Sequence, residues 1–128
     1  MRLLLDTHAL LWFAVADPQL GNEGTSLIMD PANEKLVSPA SYWEIAIKIS
    51  IKKYALSKAY EVFMHEAIDQ NGFVYLHIEP KHTARLTTLP FHHKDPFDRL
   101  LVAQAMVEGV PIISNDTALD AYGITRLW

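Results

Sequence analysis

Five acids are the residues of this chain best suited to chemistry: Asp6, Glu44, Asp95, Asp98 and Asp116. They are scattered, yet each stands where the local pattern changes. Asp6 ends the apolar run Arg2-Leu3-Leu4-Leu5, and Asp116 follows the run Val110–Ser114. Glu44 lies within two turns of a helix start at Ser38-Pro39, and Asp95 and Asp98 surround another at Asp95-Pro96. Two carboxylates about 4 Å apart repel by roughly 4 kcal/mol at an effective dielectric near 20. A group of four therefore needs protons or cations. An all-oxygen pocket in a chain without cysteine favours a hard cation, Mg²⁺ or Mn²⁺. Such an ion keeps waters and takes phosphate oxygens, which is the equipment of phosphodiester hydrolysis.

For these acids to meet, the elements between them must bring distant positions to one edge. Arg2–Leu5 is a short continuous apolar run suited to a buried parallel strand. Ala9–Ala16 is helix-compatible and stops at Asp17-Pro18; Gly21–Gly24 reads as a turn before a short helix over Thr25–Met29. Lys35–Ser38 is a second strand. Ser38 caps a helix with Pro39 at its first position, running to about Lys53. Ser57 is placed to cap a helix that ends at Asn71-Gly72. Phe73–Ile78 is a third strand, and Pro80–Thr88 a short helix. Asp95-Pro96 opens a helix to Glu108 with Gly109 as its stop. Val110–Ser114 is a fourth strand, Thr117–Ala121 a helical turn, and Ile124–Leu127 a last strand. Alternation of this kind predicts one α/β domain over residues 1–128 with a mostly parallel sheet. Open parallel sheets bind ligands beyond the carboxyl ends of their strands, where these acids fall.

Composition narrows the choices. A chain of 128 residues that is 50% hydrophobic holds a core without disulfides or a structural metal. The absence of cysteine removes thiol catalysis and Cys-based zinc sites. No signal peptide is read at the amino terminus, and no apolar run approaches the ~20 residues that span a bilayer. A cytoplasmic, membrane-free protein is the expectation. A net charge of −4 argues against an indiscriminate nucleic-acid coat. It leaves a nuclease open, because metal-holding carboxylates count as negative only while empty.

Each singled-out residue also has a plainer explanation. Asp6 could cap the helix that follows it, and Asp95 before Pro96 is a good N-cap by local chemistry. Asp98 sits in a first turn, where the helix dipole favours any acid. Glu44 could pair with Lys48 on a solvated helix face, and Asp116 could shape a loop. Lys48 and Lys52 lie roughly on the stripe of Glu44 and could approach RNA phosphates, though a solvated charged face explains them as well. Arg99 could contact phosphate or a nearby acid. His92-His93 reads as a loop or an RNA edge rather than a metal site, since adjacent histidines point apart. His8 reads as a packing residue. Trp12, Trp43 and Trp128 read as core or dimer-interface aromatics, and Leu100, Ala103 and Val107 as a core stripe.

These stretches together resemble the PIN-domain family. Leu4-Leu5-Asp6-Thr7-His8-Ala9-Leu10 is similar to its opening strand and acid. Ser38-Pro39-Ala40-Ser41-Tyr42-Trp43-Glu44-Ile45-Ala46-Ile47-Lys48 is similar to its second acidic motif. His93-Lys94-Asp95-Pro96-Phe97-Asp98-Arg99-Leu100-Leu101-Val102-Ala103-Gln104-Ala105 resembles the third and is the most distinctive. Ser114-Asn115-Asp116 resembles the fourth. The resemblance covers essentially the whole chain. It implies a PIN fold, with a central five-stranded sheet flanked by helices, and a Mg²⁺- or Mn²⁺-dependent endoribonuclease like the VapC-type toxins of toxin–antitoxin pairs. By position it makes Asp6, Glu44, Asp98 and Asp116 the metal-binding and catalytic acids, supported by Thr7, Ser114 and Asp95. It also implies an RNA substrate, a small antitoxin whose tail covers the acidic pocket, and a homodimer.

Other functions fit less well. A haloacid-dehalogenase-like phosphatase needs Asp-x-Asp at the first strand, but residue 8 is His. A receiver domain needs clustered early acids and a later phosphoacceptor Asp followed by Lys, an order absent here. A PIN-like binding module without metal, or a PIN nuclease of RNA processing, are the remaining alternatives. All four acids being present disfavours the first of these.

Overall fold

A computed structural model describes residues 1–128. It contains five short strands: β1 (Arg2–Leu5), β2 (Glu34–Val37), β3 (Val74–Tyr75), β4 (Ile112–Ile113) and β5 (Arg126–Leu127). The helices are α1 (Thr7–Ala14), α2 (Asn22–Met29), α3 (Pro39–Ser50), α4 (Tyr60–Met64), α5 (Pro80–Leu86) and α6 (Pro96–Glu108). A π turn over His65–Asp69 continues α4, and a 3₁₀ helix covers Thr117–Tyr122. The sheet order is β3-β2-β1-β4-β5, and every pairing is parallel. The chain leaves β1 toward β2 and β3 on one side and later returns to β4 and β5 on the other. The crevice between β1 and β4 is thus the topological switch point, the place where such sheets bind ligands.

Side chains alternate across the central strands and divide the core in two. Leu3, Leu5, Val37 and Ile113 enter one cluster with Leu10 of α1, Ile28 of α2, and Phe63 and Ile68 of the α4 region. Leu4, Leu36 and Ile112 enter the other with Leu101, Val102 and Ala105 of α6. The run Leu3-Leu4-Leu5 is completely buried because each face of β1 is covered. Each such leucine contributes about 1.5–3 kcal/mol relative to exposure. α3 gives Ile45 to the first cluster and Ala40 to the second, and it contacts both α1 and α6. That straddling position brings Glu44 toward the carboxyl ends of the strands.

The helix that carries Asp98 is firmly held. Asp95 accepts from the N–H groups of Phe97 at 2.8 Å and Asp98 at 3.3 Å, and Pro96 occupies the first position, so α6 begins where its local signals place it. Gly109 ends it in a left-handed conformation, φ 64°. The fully buried His82 receives the Glu79 N–H at 3.0 Å and meets Glu108 at 2.9 Å, tying α5 to α6. Gln104, also fully buried, donates to the Leu76 carbonyl at 3.2 Å beyond β3.

Several boundaries differ from the sequence expectations. α2 begins at Asn22, so Gly21 and Gly24 do not form a turn. Both are packing glycines: a Cβ on Gly21 would lie 2.7 Å from Trp128, and one on Gly24 would lie 3.2 Å from Ile113. α3 ends at Ser50 instead of Lys53, because Lys52 turns left-handed and the Lys53 N–H bonds back to the Lys48 carbonyl at 2.8 Å. Ser57 caps nothing. α4 starts at Tyr60, whose hydroxyl donates to the Tyr42 carbonyl at 2.8 Å. The strand expected over Phe73–Ile78 pairs only through Val74–Tyr75 at the sheet edge. Of the expected core stripe, Leu100 and Ala103 are buried and Val107 sits at the rim; Trp43, read as a core or dimer-interface aromatic, is 58% exposed.

Candidate metal centre

Asp6, Glu44, Asp95, Asp98 and Asp116 all line one pocket of about 390 Å³ at the switch point. Thr7 and Ser114 line it too, so every residue singled out for the acidic site reaches it. The walls come from the ends of β1 and β4, from the starts of α1 and α6, and from Glu44 and Lys48 on the second and third turns of α3. Convergence follows from the sheet order, since β1 and β4 are neighbours although more than a hundred residues separate them.

Three of the acids are fixed by neighbours. Asp6 accepts from the Ala9 N–H at 2.8 Å, so it caps α1 and lines the pocket at once. Burial pushes its carboxyl above the usual range, partly countered by the Ser114 hydroxyl and that N–H. Glu44 is buried, receives the Thr7 hydroxyl at 2.7 Å and pairs with Lys48 at 2.8 Å. The Glu44 hydrogen bond holds the Lys48 ammonium above its ordinary value. Asp116 accepts from the Ala118 N–H at 3.0 Å and meets His93 Nε2 at 2.7 Å. Its own N–H donates to the Ser114 hydroxyl at 3.1 Å.

Asp98 is different. Its carboxylate makes no hydrogen bond or ion pair within the protein, while burial, then Asp95, then Glu44 push it up to about 6. A half-buried carboxylate crowded by like charges and paired with no cation of the chain is a strained arrangement unless a proton or a metal joins it. Asp95 adds to that charge from its capping position rather than relieving it.

His93 enters the site although the sequence reading placed it in a loop or at an RNA edge. One ligand atom each of His93, Asp98 and Asp116 lies within 4.8 Å of the others. The His93 ring stacks on Tyr122 at 5.5 Å and meets its hydroxyl at 3.1 Å. No local pattern announces this contact, because Tyr122 is 29 residues away. The adjacent His92 packs on the same Tyr122 ring, T-shaped at 4.8 Å, so the two histidines do not point apart as expected.

The candidate cations divide. Lys48 lines the pocket, whereas Lys52 is exposed beyond the end of α3 and does not. Arg99 is buried, and its guanidinium donates to the carbonyls of Pro90 at 2.9 Å and Leu89 at 3.2 Å beneath the Phe91 ring. It pairs with no acid and faces away from solvent phosphate; it fastens the segment before α6. The donor set that remains around the pocket is oxygen-rich, with the imidazoles of His93 and His8 beside it. That set fits a hard divalent cation such as Mg²⁺ or Mn²⁺.

The family model described as PIN domain matches residues 3–124. Among solved structures, VapBC2 from Rickettsia felis bound to a DNA fragment from its promoter is similar in fold. Its TM-score is 0.72 at 14% identity, over 99% of this chain and 98% of that one. VapBC-1 from nontypeable Haemophilus influenzae gives 0.67 at 17% identity, over 99% and 97%. FitAcB from Neisseria gonorrhoeae gives 0.63 at 16% identity, over 98% and 96%. No curated protein matches the sequence significantly.

Proposed function

The chain belongs to the PIN domain family, and on that premise we propose that it is a Mg²⁺- or Mn²⁺-dependent endoribonuclease, the toxin of a toxin–antitoxin pair. The observation that carries this reading is the Asp98 carboxylate, unpartnered and crowded by other acids in a pocket at the switch point. The similar folds described as VapBC and FitAB support the toxin assignment and a small antitoxin as partner. RNA as substrate and a homodimeric assembly follow from the family resemblance.

In this reading Asp6, Glu44, Asp98 and Asp116 hold the cation. A hard divalent ion there supplies Lewis acidity toward a phosphodiester and toward the attacking water. The chain's own work is positioning. The Thr7 hydroxyl sets the Glu44 carboxylate, the Ala9 N–H sets Asp6, and His93 sets Asp116. Asp98 keeps both oxygens available. Lys48 takes up part of the Glu44 charge and stands at the pocket wall, where an incoming phosphate passes.

The test is an RNA cleavage assay with purified protein, mixed structured RNAs, and Mg²⁺ or Mn²⁺. Cutting that is lost in EDTA and in Asp98→Asn is expected. A folded Asp98→Asn protein that cuts RNA as the wild type does removes the assignment.

A further inference from the structure

Resting on the nuclease reading above, we propose that the groove beside the acidic pocket is a nucleobase subsite. It stacks one base of a single-stranded RNA on the His8–Trp12 face while Lys53 meets an adjoining phosphate. The groove has a volume of about 390 Å³, within the ~300–1,000 Å³ range of ligand pockets. His8 and Lys48 line both this groove and the acidic pocket, so the two cavities adjoin. A strand with its phosphodiester among the acids therefore has a neighbouring nucleotide in the groove.

The lining suits that occupant. The His8 and Trp12 rings are already stacked, with centroids 5.1 Å apart and planes 27° from parallel. Trp12 is braced edge-on by Trp128 at 5.7 Å, and the outer residue, His8, is exposed. Every base has a π face, so such a platform accepts any sequence. Tyr54 adds a third aromatic group, and the floor is aliphatic. Lys48 is committed to Glu44, but Lys53 is exposed and makes no ion pair. In a chain of net charge −4, a lysine left free at the lip of an aromatic groove is a local attraction for a phosphate. An apolar peptide segment would fill the aliphatic floor equally well. The stacked rings, the free lysine and the continuity with the acidic pocket favour the nucleotide.

The experiment titrates the protein in Mg²⁺ with 2′-O-methyl RNA hexamers of mixed sequence and with an abasic strand of the same length, reading anisotropy and tryptophan fluorescence. The base-bearing strands are expected to quench fluorescence and to bind about tenfold more tightly than the abasic strand. In His8→Ala that ratio falls toward one, while Lys53→Glu weakens both strands alike. Equal binding of the two strands by wild type, or a ratio that survives His8→Ala, overturns the subsite. So does a groove that ignores both strands but changes its fluorescence only with a bound protein partner. RNA cleavage without base preference in binding leaves the nuclease standing and removes only the subsite. Base-dependent binding without any metal-dependent cleavage removes only the nuclease.

Discussion

The His93 imidazole lies 2.7 Å from the Asp116 carboxylate, and the Tyr122 hydroxyl stands 3.1 Å from its other nitrogen. In the neutral ring, Tyr122 donates to Nδ1 and the Nε2–H donates to Asp116, which fixes the tautomer and turns the carboxylate toward the pocket. Loss of such orienting partners typically lowers metal affinity about 10–100-fold. We expect His93→Asn to weaken Mn²⁺ binding within that range, measured calorimetrically, and Tyr122→Phe to weaken it less. Unchanged binding in a folded His93→Asn protein sinks this role.

Asp98 makes the metal-free protein sensitive to pH. Its carboxyl titrates near 6 in the folded chain against an ordinary value of 3.8. The folded state holds that proton more tightly, so the contribution is fully present below about pH 4 and is lost as pH rises through about 6. In EDTA, wild-type Tm should decline over that window relative to Asp98→Asn, and the variant should melt higher at pH 7. Mg²⁺ should raise wild-type Tm at pH 7 far more than that of the variant. Parallel melting profiles for the two proteins contradict the argument.

Arg99 gives a stability prediction separate from catalysis. Its buried guanidinium serves two carbonyls in a fixed fork and stacks on Phe91. Lysine cannot reproduce both bonds. Arg99→Lys is therefore expected to destabilise by about 1.5–3 kcal/mol, the worth of hydrogen bonds to a charged group. Urea denaturation measures this directly, and a change under about 0.5 kcal/mol, the ordinary surface range, would mean the carbonyls find other donors.

Much of this structure is legible in the sequence, for local reasons. α6 starts and stops where Asp95-Pro96 and Gly109 say, because capping and left-handed chain reversal are decided within a few residues. The acids are recognisable because strand ends and helix starts mark them. Gly21, Gly24 and His93 are not legible in this way. A glycine has the same local signature whether it turns the chain or makes room for a distant side chain, here Trp128 for Gly21 and Ile113 for Gly24. His93 acquires its task only when Tyr122 and Asp116 fold against it. Arg99 is misread for a similar reason: its carbonyl partners leave no mark on residue type.

Gly21 supplies the matching test. A methyl group there meets Trp128 at 2.7 Å, closer than packing allows. We expect Gly21→Ala to cost about 1–3 kcal/mol through overpacking. Gly21→Ala combined with Trp128→Ala should recover part of that loss. A stable single variant shows that Trp128 moves aside freely.

The sheet order has a consequence for how this molecule is made. Asp6 emerges from the ribosome early, but it gains its partners Ser114 and Asp116 only when β4 pairs beside β1. No fragment that stops short of β4 can assemble the four acids, since Ser114 and Asp116 form one wall of the pocket. A break anywhere between Asp98 and β4 thus leaves neither piece with a complete pocket: the first keeps Asp6, Glu44 and Asp98, the second Asp116 alone.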